Sequence, residues 1–343
     1  MATGTVSKEA KELIVRMNKK FGAGTVLLGS ETISYPRFPS GSLGLDVILG
    51  GGWPANQWHE IIGEKSAGKS QLAYATIAAN QRRDPEFTAV WIAAEQYWRE
   101  WAEACGVDTS RLIVVETNIM EEAYQAALDF AESRIVDCVV IDSLPALVPV
   151  SENDKEMDES TVGRGALLTG RFFRKVGKAT KRSMESTERP FLGLMINQYR
   201  MKIGVMHGDP RTTPGGQAKD YAYFTQVEVK RDEWIETGTG TNKDRIGQVV
   251  RALTKKNKSA PPGAAAYYDI YFDDGGAAPK GRIDYQKEIV NLAILYEIIT
   301  RAGAWYTFGD SRWQGNASVV AAVREDQELA SALESQVLSR VLV

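Results

Sequence analysis

The run Gly63-Glu64-Lys65-Ser66-Ala67-Gly68-Lys69-Ser70 spaces two glycines, a lysine and a hydroxyl as a phosphate-binding P-loop does. Glycines let successive backbone N–H groups curl around an anion, and the start of the following helix adds the positive end of its dipole. Lys69 would reach the β- and γ-phosphates of a nucleoside triphosphate, and Ser70 would set a hydroxyl on Mg²⁺. The apolar run His59–Ile62 precedes the motif and a helical pattern from Gln71 follows it, which is the context the motif requires.

Further polar groups stand where other apolar runs end. Cys138–Ile141 is followed by Asp142, which would hold the Mg²⁺ shell through water or through Ser70. Thr88–Ala93 leads to Glu95, a carboxylate able to orient or deprotonate an attacking water. Phe191–Ile196 leads to Asn197 and Gln198, amides able to hydrogen-bond a γ-phosphate and so tell ATP from ADP. Ligands gather at the carboxyl ends of strands in a parallel sheet. Taken singly, each polar strand end reads equally well as a solvated terminus. Grouped around one P-loop, they describe a nucleotide-hydrolysis site.

These residues need a sheet to hold them. Apolar runs at His59–Ile62, Thr88–Ala93, Leu112–Val115, Cys138–Ile141 and Phe191–Ile196 alternate with helical patterns at Gln71–Gln81, Tyr97–Ala104, Glu121–Ser133 and Leu167–Ser183. The alternation predicts an α/β core with a mostly parallel central sheet covered on both faces. Gln226–Lys230, Gly247–Leu253 and Tyr267–Phe272 read as an antiparallel extension. Ser7–Phe21 reads as a basic helical arm with Ser7 as a half-made N-cap. From Asp284, a helix (Ile289–Arg301), an aromatic Gly-rich segment and a helical tail (Ala317–Leu342) suggest a small α+β domain. The expected division is 1–34, 35–275 and 276–343.

Composition narrows the class. Lys+Arg 41 against Asp+Glu 44 leaves a net charge of −3 over 343 residues, so the chain is not basic throughout. A local basic stripe still suffices for nucleic acid. No run approaches the roughly 18 apolar residues of a membrane helix, and no membrane partner is expected. Two cysteines, Cys105 and Cys138, with two scattered histidines argue against a disulfide framework and a structural zinc site. Arg171, Arg174, Lys175, Lys178 and Arg182 recur at three- and four-residue steps on one helix face, which reads as a solvated face or a phosphate contact.

Pro39–Asp46, the P-loop, Glu95, Val140–Ser143, Asn197–Met206, Lys256–Lys258 and Ala302–Tyr306 follow one another in the order of one family. The sequence is similar to the bacterial RecA recombinase family from about Ser7 to the C-terminus. That resemblance implies an ATP- and Mg²⁺-dependent, DNA-dependent ATPase with a RecA-like core, a polymerisation arm and a C-terminal domain. It implies a helical homopolymer on single-stranded DNA that pairs with homologous double-stranded DNA and exchanges strands, helped by single-strand-binding and loading proteins. It places the chain in bacterial cytoplasm, or in host cytoplasm for a phage-encoded member. By match of motif, Lys69 and Ser70 carry phosphate and Mg²⁺, Glu95 the water, Gln198 the γ-phosphate, and Trp101 the adenine. Lys256 and Lys258 would reach a neighbouring subunit's nucleotide, although by spacing alone they read also as a solvated basic turn.

The family's two DNA loops map to about 151–165 and 199–216. Thr161, Val162, Gly163 and Arg174 go with the first, and Arg200, Met201, Lys202, Ile203, Gly215 and Gly216 with the second. Basic groups there can meet phosphates, and Met201 and Ile203 can wedge between bases. The chain departs from the family's usual residues at Glu64, Lys65, His207, Arg211, Asp220 and Tyr221. Two other readings share the P-loop core: a DNA helicase, and a recombination mediator without turnover. The helicase lacks support in Asn197–Met206, and the retained Lys69, Glu95, Asp142 and Gln198 argue against the mediator.

Overall fold

A computed structural model describes residues 6–22, 25–29, 36–153, 163–182, 189–201, 211–239 and 242–341. Its centre is an eight-stranded sheet. Across that sheet the order is Ala265–Tyr271, Asn242–Asn257, Thr225–Thr239, Gln57–Gly63, Leu192–Gln198, Cys138–Asp142, Ala89–Ala93 and Leu112–Glu116. The last five are mutually parallel, and Thr225–Thr239 joins Gln57–Gly63 in parallel before the sheet turns antiparallel.

The apolar runs behave as strands buried on both faces. Successive side chains alternate between two cores, as the two-residue period of a strand dictates. Ile61, Trp91, Val140 and Leu194 enter one core, which includes Leu72 and Ile77 of the P-loop helix. Trp58, Val90, Val139, Ile141 and Met195 enter the other. There they meet Ala127 and Leu128 of Met120–Ser133 and Phe172 and Phe173 of Arg164–Arg182. Burying each such large apolar side chain contributes about 1.5–3 kcal/mol. The sheet is therefore clamped from both sides, and its strand ends are held in fixed register.

The antiparallel extension is longer than its sequence suggests. Thr225–Thr239 and Asn242–Asn257 form one ladder with register shifts at Gln226/Val227, Arg231/Glu233 and Ile235/Glu236. Each irregularity breaks the alternation that sequence reading relies on. The C-terminal helix also differs from expectation. It spans Tyr285–Leu295, capped by Asp284, whose carboxylate accepts from Lys287 N. Arg301 falls instead in a three-stranded sheet of Thr300–Ala302, Trp305–Phe308 and Ser311–Gln314. The tail is two helices, Asn316–Glu325 and Gln327–Val341, parted at Asp326, whose carboxylate accepts from the N–H groups of Glu328 and Leu329. Val319, Leu333 and Val337 close a third core with Leu43 and Val47.

The N-terminal helix Lys8–Phe21 has no buried residue; Ser7 Oγ accepts from Ala10 N at 3.2 Å. Among the described residues no helix is long and apolar enough to cross a membrane.

Candidate functional site

Parallel register builds the site. Gly63 pairs with Gln198, and Ala93 pairs with Asp142, so the P-loop, the amide and the carboxylates leave one edge of the sheet together. Two backbone bonds pin Glu95 there: Ala94 N and Glu95 N donate to Asp142 O at 2.8 and 3.2 Å.

The loop Gly63–Ser70 turns sharply. Ser66 has φ 60°, and Gly68 caps the helix Lys69–Arg83 at φ 98°, a backbone that a Cβ would strain. Ala67 is buried against the core. Lys69 Nζ donates to Glu64 O at 2.7 Å, and Lys65 is exposed. Burial pulls the Lys69 ammonium below its ordinary range, while Asp142 and Glu95 act against that pull.

Ser70 Oγ donates to Asp142 Oδ2 at 2.7 Å. Burial pushes the Asp142 carboxyl up to about 6; the Ser70 hydrogen bond opposes the rise, the Glu95 charge adds to it, and Lys69 opposes it. A hydroxyl and a carboxylate side by side form an oxygen-only donor pair. That pair suits Mg²⁺, which takes few protein oxygens and completes its shell with water and phosphate. The loop above it suits the phosphates.

Glu95 faces two donors. Ser143 Oγ donates to Glu95 Oε1 at 2.6 Å, and Gln198 Nε2 lies 3.4 Å from the same oxygen. A carboxylate so held can orient a water, and an amide so placed can exchange that carboxylate for a phosphate oxygen. Ser143 is fully buried. The sequence shows Ser143 only as the end of Val140–Ser143, because nothing in a sequence says which way that hydroxyl points.

Trp101 sits half-buried on Arg99–Ala104, against the core that includes Leu72 and Ile77 of the P-loop helix. Tyr97 packs against the same core, an aromatic that sequence reading had placed only as a helix start.

The loop residues fall into two groups. Gly163 (φ 85°) precedes Arg164–Arg182, where Arg171, Arg174 and Lys175 are exposed. Arg164, Arg171 and Arg174 line a cavity with Leu167 and Leu168. Arg164 escaped the sequence reading, though it continues the same basic face. Arg200 and Met201 pair with Thr212 and Arg211 at the base of the second loop, and Met201 is 67% exposed. Gly215 (φ 99°) and Gly216 (φ 72°) close that loop; a Cβ on Gly215 would stand 2.8 Å from Leu144 Cδ2 and 2.9 Å from Lys219 Cδ. Thr161, Val162, Lys202, Ile203 and His207 lie outside the described residues, as do the side chains of Lys178 and Arg182.

Lys256 and Lys258 are not brought to the P-loop of their own chain by register. Lys256 pairs with Gln226, which pairs with Glu60, below Gly63 on the strand. Lys256 Nζ donates to Asp220 O, and Lys258 Nζ donates to Tyr221 O at 3.3 Å. Burial, then the Lys258 charge, lowers the Lys256 ammonium. Tyr221 beside them is 80% exposed.

Comparison with known proteins matches most of the chain. The RecA N-terminal domain family covers residues 8–277, and the RecA C-terminal domain family covers 287–342. Protein RecA of Nocardioides sp. (strain ATCC BAA-499 / JS614) is 35% identical over 345 residues, covering 99% of this chain and 93% of that protein. Protein RecA of Lactobacillus johnsonii is 37% identical over 316 residues, covering 91% and 82%. Protein RecA of Porphyromonas gingivalis (strain ATCC BAA-308 / W83) is 33% identical over 342 residues, covering 97% and 95%. With the P-loop, Asp142, Glu95 and Gln198 on one sheet edge and both domain families matched in order, the chain belongs to the RecA family, the DNA-dependent ATPases that recombine DNA and form filaments.

Proposed function

We propose that the chain binds ATP with Mg²⁺ at the P-loop, polymerises as a helix on single-stranded DNA and exchanges that strand into a homologous duplex. The observation that carries this reading is the convergence of Ser70, Asp142, Glu95, Ser143 and Gln198 beside Gly63–Lys69. Lys69 holds the β- and γ-phosphates. Ser70 and Asp142 would hold Mg²⁺, which when bound would neutralise phosphate charge. Glu95 orients the attacking water and takes its proton, and Gln198 reads the γ-phosphate. Trp101 faces the base. The arm (1–34) and the core (35–275) supply the polymer contacts, and 276–343 forms the C-terminal domain. Single-strand-binding and loading proteins are the expected helpers, and cytoplasm the expected compartment.

DNA lies along Gly163, Arg174, Arg200, Met201, Lys202, Ile203, Gly215 and Gly216, with Thr161 and Val162 leading in. The test is the salt dependence of single-strand binding with ATP and Mg²⁺ present. The logarithm of affinity falls by about 0.7 per phosphate contact for each tenfold rise in salt. Arg200→Ala with Lys202→Ala therefore flattens the slope by about 1.4. An unchanged slope in a folded double variant places the DNA elsewhere.

A further inference from the structure

Glu60 and Lys219 form an ion pair in the middle of the protein. Lys219 Nζ lies 3.3 Å from Glu60 Oε1, and neither side chain has any solvent exposure. Both carboxylate oxygens are used. Glu60 Oε1 also accepts from Asn197 Nδ2 at 2.6 Å, and Oε2 accepts from Gln226 Nε2 at 2.7 Å. Lys219 Nζ donates to Thr213 Oγ1 and to Asp220 Oδ1, at 2.7 and 2.6 Å. Burial pushes the Glu60 carboxyl up, while the Lys219 charge and the amide donors act against that push.

Desolvating two charges costs several kcal/mol per ion, and well-packed apolar residues of similar size are often as stable. Stability alone does not account for a pair in this place. Its partners do. Asn197 precedes Gln198 and accepts from Gln198 N at 2.9 Å, and its Nδ2 donates to Pro214 O at 3.2 Å. Thr213 and Pro214 follow Arg211–Thr212, the returning strand at the base of the second loop. Lys219 and Asp220 ride on the helix Gln217–Ala222, whose Asp220 and Tyr221 carbonyls take the ammonium groups of Lys256 and Lys258. One buried charge pair therefore touches the γ-phosphate reader's strand, the loop base and the helix that holds the interface lysines.

We propose that Glu60 and Lys219 are positioning residues that transmit the state of Gln198 to the base of the second DNA loop. The pair is well suited to this. A carboxylate and an ammonium deprived of water cannot lose a partner without cost, so a shift of Asn197 must be met by a shift of Thr213 or of the helix. The proposal rests on the reading of Gln198 as the γ-phosphate sensor.

The test is the ratio of single-strand affinity with Mg²⁺ and a slowly hydrolysed ATP analogue to that with Mg²⁺ and ADP, read by anisotropy of a labelled oligonucleotide on the full chain. Couplings between sites usually amount to about 5–150-fold. In Glu60→Gln with Lys219→Met, which removes both charges at similar size, the ratio falls at least about fivefold while nucleotide affinity stays native. A folded double variant with the native ratio overturns the proposal. Where the double variant does not fold, Thr213 decides. Thr213→Val loses the ratio and Thr213→Ser keeps it; a native ratio in Thr213→Val overturns the proposal. Gln198→Ala separates the two readings. If it collapses the ratio and the Glu60, Lys219 and Thr213 variants do not, only the relay falls. If it leaves the ratio native, the sensor falls and the relay with it.

Discussion

Lys69→Ala is expected to fold as the native chain does and to lose about 10²–10³-fold of its ATPase rate, the loss typical of removing one preorganised charge donor from a transition state. The fold is spared for a local reason. Among the described residues Lys69 Nζ donates to Glu64 O, a loop carbonyl, and makes no salt bridge there. The helix Lys69–Arg83 keeps Leu72 and Ile77 in the core, and alanine is the better helix former. The chemistry is not spared. The ammonium stands at the P-loop on Glu64 O and feels the Asp142 and Glu95 charges, so on the proposed reading it would meet the charge that the transferring phosphoryl group gathers. Circular dichroism with a steady-state ATPase assay on single-stranded DNA checks both halves. Near-native turnover in a folded variant removes the P-loop from the reaction.

Activity should return when two dead proteins are mixed. Glu95→Gln keeps the size of the side chain and its place near Ser143 and Gln198 but loses the base, so it binds ATP and DNA and hydrolyses slowly. Lys256→Ala with Lys258→Ala keeps its own P-loop, because Lys256 pairs with Gln226, Lys258 follows the end of that strand, and neither is in register with Gly63. Their ammonium groups rest on the Asp220 and Tyr221 carbonyls, next to the exposed Tyr221 ring. On the proposed reading, a head-to-tail contact would bring one subunit's lysine face to the next subunit's nucleotide face and repeat without closing. Two cations so placed would act as an arginine finger supplied in trans does. In an equal random mixture about a quarter of the interfaces join an intact Glu95 half to an intact lysine half, given such heterologous contacts. DNA-dependent ATPase activity of about that fraction is the expected result. Mixed filaments no more active than their parts would place the lysines outside the catalytic step.

The candidate nucleotide site was legible because its residues sit in short local runs. A P-loop is one run, and Asp142, Glu95 and Gln198 each stand at or just beyond the end of a short apolar run that reads as a strand. Parallel pairing then does the assembly. The supporting contacts were not legible, since they join residues far apart in the chain. Glu60 interrupts His59–Ile62 as a lone charge, and Lys219 lies well over a hundred residues on, so their meeting depends on Thr225–Thr239 closing beside Gln57–Gly63. Ser143 belongs with Glu95 for the same reason. Element ends failed where local polar chemistry overrode periodicity. The bulges hid the length of Thr225–Thr239, and the Asp326 cap divided a tail that reads as one helix.

Strand exchange is the direct measure of the central claim. A circular single strand is mixed with a homologous linear duplex and with an unrelated one, each with and without ATP and Mg²⁺, and joint molecules are resolved on a gel. Joint molecules that mature to exchanged product only with homologous duplex and only with ATP and Mg²⁺ are the predicted result. Strand separation of the unrelated duplex, with no joint molecules from the homologous one under the same conditions, would contradict it.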